Sequence, residues 1–172
     1  PLMFKEQEIE ALVLGARMVE TWADCELAVA ATDAIAKIEA VIPDRLRACM
    51  ANSALLAPSS YGIEPIKCDL AELRRAIRNL LKVEFHYTDV LHHTTARTVR
   101  PLSLAFFGPV WLLAGWCELR TDFRTFRLDR MESFKSTAER FRPERGKTLH
   151  DFLRRPQTWG RSSLGEKSDE RH

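Results

Sequence analysis

The spacing of apolar residues changes once along this chain, and that change constrains the fold more than any other feature of the sequence. Up to about residue 81, apolar side chains recur at helical spacing, as in the segment DLAELRRAIRNLL that begins at Asp69. The next segment, VEFHY from Val83, alternates apolar with polar residues, which is typical of a half-buried strand. Further short apolar segments follow (RTVRPLSLAFF, VWLLAGW and FRTFRLD), with turn residues such as Gly108-Pro109 between them. Helices followed by about five short strands predict an α+β protein with a small β-barrel or a strongly bent sheet.

The first sixty residues are predicted to form three helices. A first apolar stripe begins at Ile9, and a longer one runs from Leu27 to Ile42 behind Asp24, a candidate N-cap. Pro43 ends the second helix, and a shorter third helix follows it. The stripes contain many alanines, which suit either a helical dimer interface or ordinary intramolecular packing.

The sequence indicates three segments. Residues 1–66 are expected to form a helical connector with dimer contacts and a linker, since APSSYGIEPIKCD is rich in Pro, Gly and Ser. Residues 67–143 are expected to form the helix and the β-unit, opened by Asp69 and Glu72 at capping-box spacing. Residues 144–172 are expected to form a short helix and a disordered tail, because the end of the chain is polar and aperiodic.

The charges divide in the same way. Residues 1–66 hold 5 Lys and Arg against 10 Asp and Glu, whereas residues 67–172 hold 21 against 14. Such asymmetry favours an anionic partner for the second segment, although simple attraction between the two halves would also produce it.

Six arginines and no lysine lie between positions 97 and 130, interleaved with aromatic residues. Guanidinium groups grip phosphate or carboxylate with two hydrogen bonds and stack on flat rings, so this combination is typical of single-strand nucleic-acid surfaces. The alternative is that period two places some of them on a solvated strand face, for example with Arg127 paired to Asp129. Because Arg124 and Arg130 share strand parity with Phe126 and Leu128, we expect these two arginines to leave the core only at a strand end or a bend. Arg127 is expected to be the more plainly exposed.

Several kinds of site are not expected. His86, His92 and His93 are not part of an HxH, HExxH or CxxC pattern, and adjacent histidines on a strand point to opposite faces, so no metal site is predicted. Cys117 lacks a catalytic elbow or a glycine-rich phosphate loop, so neither catalysis nor a cofactor is predicted. A small hydrolase using Cys117 or these histidines is the enzymatic alternative. The four cysteines are widely spaced and there is neither a signal peptide nor a membrane-length apolar run, so a cytoplasmic protein is expected.

The segment RTVRPLSLAFFGPVWLLAGWCELRTDFRTFRLDRM resembles the WYL domain of bacterial transcription regulators of the YafY type. The order and spacing match over about thirty-five residues: an arginine-rich strand with Pro-Leu, a Gly turn, the name motif, an arginine loop and Phe-Arg-Leu-Asp-Arg. The helical segment that begins PLMFKEQEIE is also similar to the connector of that family, so the resemblance covers residues 1 to about 155. In such regulators a winged helix-turn-helix precedes this connector, and we expect that domain to be missing from these 172 residues. Leu112 stands where the family's name motif has a tyrosine, and it is the position expected to change the ligand.

This resemblance implies a helix followed by a five-stranded Sm-like barrel that senses a nucleotide, an oligonucleotide or single-stranded DNA. It also implies that operator DNA is read only through the absent N-terminal domain, and that the chain is a homodimer. The alternative is a dimerisation or interdomain module without a small ligand. The ligand site is expected to consist of five arginines and one aromatic residue, namely Arg100, Arg120, Arg124, Arg127, Arg130 and Trp111.

Overall fold

The computed structural model describes residues 3–51, 56–57, 66–107, 110–156 and 159. Contacts within the chain divide it into two units, Pro1–Gly62 and Ile63–His172. Most of the predicted linker, the Gly108-Pro109 turn and most of the predicted tail lie outside the described residues. No helix in the described part of the chain is long and apolar enough to span a membrane.

The first unit contains the three predicted helices, α1 (Glu6–Trp22), α2 (Cys25–Val41) and α3 (Asp44–Ala51). Asp24 caps α2, because its Oδ1 accepts a hydrogen bond of 3.1 Å from the Leu27 N–H. The core of this unit consists of Ile9, Val13, Ile42, Leu46 and Met50. Every residue of α2 keeps some exposure, so this helix contributes only partly buried side chains to that core.

The second unit begins with α4 (Leu70–Arg78). Asp69 caps it as predicted, accepting a hydrogen bond of 2.9 Å from the Glu72 N–H. The Glu72 carboxylate does not complete a capping box. It accepts hydrogen bonds from the Ser136 N–H at 2.9 Å and the Ser136 hydroxyl at 2.6 Å, which ties the helix to the last strand.

Five antiparallel strands follow: β1 (Leu81–Thr88), β2 (Thr94–Phe107), β3 (Val110–Cys117), β4 (Asp122–Arg127) and β5 (Met131–Arg140). They pair in the order β4-β3-β2-β1-β5, and a 3-10 turn, Leu128–Arg130, joins β4 to β5. The predicted α+β class with five strands is confirmed. Pairing among the described residues leaves β4 and β5 as the two edges, so closure into a barrel stays a prediction.

The sheet is strongly curved. In a flat sheet β1 and β4 would lie about 14 Å apart, since two strands separate them at about 4.8 Å per step. Instead the rings of Tyr87 on β1 and Phe126 on β4 lie 5.1 Å apart, and the Arg127 N–H donates to the Tyr87 hydroxyl at 3.3 Å. A register shift in β2 between Pro101 and Ser103 accompanies this curvature.

The two faces of the sheet bury different side chains. The inner face packs against α4, and its buried members include Val83, Phe85, Val99, Leu113, Phe126 and Met131. Each such side chain contributes about 1.5–3 kcal/mol of transfer free energy when it is buried. The outer face carries a second cluster beneath α5 (Leu149–Leu153), formed by Ala114, Phe123 and Phe152 with Trp116 and Trp159 beside them. Strand parity therefore decides which arginine meets which face.

Candidate functional site

A cleft of about 310 Å³ opens where β1, β2, β4 and the β3–β4 turn converge. This volume lies at the lower end of the range for small-molecule sites. The cleft is lined by Tyr87, Asp89, Arg97, Arg120, Arg124, Thr125 and Phe126. Three of these seven residues are arginines, so the cleft is the most direct candidate for an anion site.

Cross-strand register explains why two of the arginines meet there. Arg97 lies opposite Phe85 on the neighbouring strand, and Arg124 lies opposite Gly115 and two residues before Phe126. Both therefore belong to the inner face, at its margin. Arg124 is the third residue of the six-residue strand β4, so it leaves the core neither at a strand end nor at a bend as expected. It does so because β4 is an edge of the sheet, which leaves its side chain 54% exposed.

Aromatic rings form the floor of the cleft. Phe126 contacts Tyr87 at 5.1 Å and Phe85 at 5.2 Å, both edge to face. Such pairs favour this geometry because the positive edge of one ring meets the negative face of the other. The floor is thus held rigidly by the inner core. Phe126 is itself buried, so the partly exposed Tyr87 ring is the apolar surface that this floor offers next to the guanidinium groups.

The positive charge of the cleft is only weakly neutralised. Asp122 is 3.9 Å from the Arg124 guanidinium, but its other oxygen binds Arg155 at 2.6 Å. Burial raises the pKa of the Asp122 carboxyl, but hydrogen bonds from Arg155 and the Phe123 N–H lower it by more. The net pKa of this carboxyl is therefore below its ordinary value. Arg120 forms no ion pair with any described residue.

Among the three arginines of the cleft, Arg97 has a buried side-chain donor that lacks a hydrogen-bond partner in the described part of the chain. Its Nε is buried and has no hydrogen-bond partner among the described residues. Its Nη1 lies 4.0 Å from the Cys117 sulfur, a weak acceptor. A buried guanidinium donor without a partner is costly, so Arg97 would gain if its side chain turned toward an anionic or carbonyl ligand in the cleft.

The sequence matches the WYL domain family over residues 69–136, which span α4, all four cleft-forming elements and part of β5. Residues 69–136 form a WYL domain. The chain is 27% identical over 132 residues to the uncharacterized HTH-type transcriptional regulator YobV of Bacillus subtilis strain 168, a match that covers 74% of this chain and 41% of YobV. It thus spans about two fifths of that relative's length. Among solved structures, it is similar to proteasome accessory factor B/C (PafBC) of Arthrobacter aurescens, with a TM-score of 0.41, 20% identity, and coverage of 90% of this chain and 23% of that one.

Of the six residues predicted for the ligand site, the WYL domain brings only Arg120 and Arg124 into the cleft. Arg100 lies on the opposite face, where its Nε donates to Glu118 at 2.7 Å and its Nη1 pairs with Glu144. Burial raises the pKa of Glu118, but hydrogen bonds from Arg100 and Lys82 hold that pKa below its ordinary value. Arg100 is therefore held by two carboxylates of the same unit.

Arg127 and Arg130 also lie outside the cleft. The Arg127 guanidinium binds both oxygens of Asp129, at 3.0 and 2.7 Å, and its side chain is only 19% exposed. The expectation that Arg127 is more exposed than Arg124 was wrong, because this bidentate pair folds the side chain back onto the 3-10 turn. Arg130 ends that turn and is half-buried.

Trp111 and Leu112 serve packing. The Trp111 ring lies 5.1 Å from that of Phe106 and packs against the inner core. Leu112 is fully buried and its strand parity is opposite to that of Leu113 on the inner face, so it cannot touch a ligand in the cleft. That Leu112 changes the ligand stays a prediction, and from this buried position it could act only through the packing of β3.

The groups considered for catalysis are dispersed. Cys117 is fully buried, so its sulfur is closed to a substrate. His86 lies on β1, and His92 and His93 lie in the loop after it. Within the described ranges, no group of three or more His, Cys, Asp or Glu could hold a metal ion.

Five cleft residues were not predicted as ligand residues: Tyr87, Asp89, Arg97, Thr125 and Phe126. Arg97 was part of the arginine cluster, and strand parity places it on the same face as Val99 and on the opposite face from Arg100. The cross-strand pairing with Phe85 shows that this face carries the cleft, and that register is a tertiary property.

Proposed function

We propose that the WYL domain is the effector-sensing part of a bacterial transcription regulator, and that its cleft binds a nucleotide, an oligonucleotide or single-stranded DNA. The observation that carries this proposal is the convergence of Arg97, Arg120 and Arg124 beside an aromatic floor. Guanidinium groups bind phosphates in bidentate fashion, and flat rings stack on bases.

The size of the cleft limits what enters it. At about 310 Å³ it suits one nucleotide of a longer strand or a free nucleotide. The remainder of a strand would lie over the exposed heads of Arg120 and Arg124. Duplex DNA is too wide for a cleft of this size, which favours a single-stranded or mononucleotide effector.

The regulatory part of the proposal rests on the relatives. YobV is an HTH-type transcriptional regulator, and this chain spans only part of its length. We propose that effector binding in the cleft changes how a DNA-binding domain outside these residues engages operator DNA, within the bacterial cytoplasm. The role requires no catalytic step, no metal and no cofactor.

A dimerisation role is the second candidate, and the helical unit favours it. Leu12, Val29 and Val41 are 40%, 61% and 71% exposed, which leaves apolar side chains on two of its helices unburied. We propose that residues 1–51 contribute to a homodimer. Light scattering after size-exclusion chromatography should give twice the chain mass, and Val29→Glu should shift the protein toward the monomer.

Binding of a fluorescein-labelled single-stranded oligonucleotide, followed by anisotropy over a salt series, tests the main proposal. If each cleft arginine neutralises one phosphate, log K should fall with log salt at a slope of about −2, and losing one arginine should reduce that slope by about 0.7. Arg120→Ala and Arg124→Ala should both weaken binding in this way. The matched control is Arg142→Ala, an exposed arginine outside the cleft, which should leave affinity close to wild type. If neither oligonucleotides nor nucleotides bind at low salt, the sensing role is excluded and the dimerisation role is favoured.

A further inference from the structure

The cleft contains one carboxylate, and an anion site gains nothing from it. Asp89 lines the same cleft as the three arginines, and its side chain is 45% exposed. Within the described residues, it forms no ion pair with any of those arginines. A carboxylate in this position repels phosphate, so its presence suggests that the ligand offers something else at that end of the cleft.

The loop after β1 fixes the position of Asp89. Its Oδ1 accepts hydrogen bonds from the Leu91 N–H at 2.8 Å and the His93 N–H at 3.0 Å. Its backbone N–H donates to the His93 carbonyl at 3.0 Å, which closes the loop. The pKa of the Asp89 carboxyl is lowered, chiefly by the hydrogen bond from the His93 N–H and to a smaller extent by the one from the Leu91 N–H. The carboxyl is therefore ionised at neutral pH.

One oxygen of this carboxylate retains capacity for a ligand. The Nδ1 of the His93 imidazole lies 3.7 Å from Oδ2, which is too long for a hydrogen bond. An ionised carboxylate has about four lone-pair sites and only accepts hydrogen bonds. Asp89 therefore offers acceptors at one end of a cleft whose other charged groups are all donors.

From this we propose that Asp89 determines base specificity, accepting hydrogen bonds from the N1–H and the exocyclic amino group of a guanine. The inference rests on the proposed function, because the arginines are taken to hold the phosphate of the same nucleotide. Guanine alone has two adjacent donors on its Watson–Crick edge. Adenine and cytosine each place an acceptor beside their amino group, and thymine flanks its single N–H with two carbonyls. Those acceptors would face the carboxylate unpaired, which disfavours the other three bases.

The same chemistry selects against paired strands. The Watson–Crick edge of guanine is occupied in a duplex, so only an unpaired guanine can present both donors to Asp89. The partly exposed Tyr87 ring lines the same cleft as this carboxylate and offers the base a stacking surface, supported from below by buried Phe126.

Three oligonucleotides of equal length test this inference. Each is a thymidine strand with one central base, which is guanine, hypoxanthine or adenine. Hypoxanthine keeps N1–H but lacks the amino group, so affinity should fall in the order guanine, hypoxanthine, adenine, with guanine favoured over adenine by about tenfold or more. In Asp89→Asn the amide oxygen can still accept from Leu91 and His93, while its NH₂ group replaces the free acceptor. This variant should bind guanine and adenine strands about equally.

Two controls separate specificity from folding and from charge. The amide resonances of Leu91 and His93 should stay in place in Asp89→Asn, which shows that the loop is retained. Glu132→Gln removes an exposed carboxylate outside the cleft and should leave base preference unchanged.

Each other outcome overturns the inference in a distinguishable way. Equal binding of all three strands by the wild-type protein overturns base selection by Asp89 and leaves the proposed function standing. A uniform gain of affinity in Asp89→Asn, with base preference retained, means that the carboxylate acts only as a repulsive charge. Absence of binding by every strand at low salt refutes the proposed function and this inference together.

Discussion

Replacing Gly115 with alanine is expected to destabilise the WYL domain by about 3 kcal/mol, near the upper end of the range for overpacking. Gly115 lies in β3, paired with Pro101 on β2 and with Arg124 on β4. A Cβ at this position would overlap the Val99 Cγ1 and lie 2.7 Å from the Arg100 carbonyl oxygen. Ordinary contacts of a Cβ begin near 3.4 Å, so β2 would have to move away by more than half an ångström.

Neither neighbour can give way easily. Val99 is fully buried in the inner core, and the Arg100 carbonyl belongs to a strand paired on both sides. The strain therefore falls on the β2–β3 pairing, which also positions the cleft. A loss of about 3 kcal/mol corresponds to a fall in Tm of about 10 °C or more for a domain of this size.

Differential scanning calorimetry with a matched substitution measures the effect. Gly15 lies in the middle of α1, and a Cβ there would meet nothing within 4 Å. Because alanine favours a helix over glycine by about 1 kcal/mol, Gly15→Ala should stabilise the helical unit. If Gly115→Ala melts at the wild-type temperature, the close approach of β2 to β3 at this position is wrong.

Three further predictions concern the reactivity of the thiols, the stability in acid and the ion pair between Arg127 and Asp129. Burial raises the pKa of Cys68 to about 12, so an alkylating reagent at pH 8 should modify exposed Cys25 quickly and Cys68 only after unfolding, as mass spectrometry would show. The pKa of Glu144 is lowered from 4.5 to about 2, chiefly by a hydrogen bond from Lys147. Its ion pairs therefore stabilise the fold above pH 4.5 and are lost as the pH falls toward 2, and Glu144→Gln should flatten this loss in urea titrations. Asp129→Asn should cost about 1–3 kcal/mol in urea unfolding, because its guanidinium partner on β4 is half-buried, while oligonucleotide affinity stays at the wild-type level.

The fold was predictable from the sequence where its determinants are local. The change of hydrophobic period predicted the order of helices and strands, and Asp24 and Asp69 predicted two helix starts, because an N-cap depends on residues only three positions apart. Barrel-like curvature is a different matter. It shows in the contact between Tyr87 and Phe126, thirty-nine positions apart in the sequence.

The sequence predicted that arginines and aromatic residues form the site, but not which of these residues lie in it. Alternation within a strand correctly gave the inner-face parity of Arg124, yet it could not show that Arg100 meets Glu144, a partner 44 positions away. Such ion pairs occupy arginines that, from the sequence alone, are candidates for binding a ligand. Arg127 shows this even for a local partner: Asp129 is close enough in sequence to have been considered, and in the pair both side chains are less than one fifth exposed.

Arginine side-chain NMR tests the central claim most directly, namely that the cleft and not the whole arginine cluster binds the effector. Titrating a short single-stranded oligonucleotide into isotope-labelled protein should shift the Nε–Hε resonances of Arg97, Arg120 and Arg124, with the largest change at Arg97, whose Nε has no partner in the described structure. The resonances of Arg100 and Arg127 should stay in place, because carboxylates of their own domain already hold them. Shifts confined to Arg100 and Arg127, or spread evenly over all exposed arginines, would contradict this account.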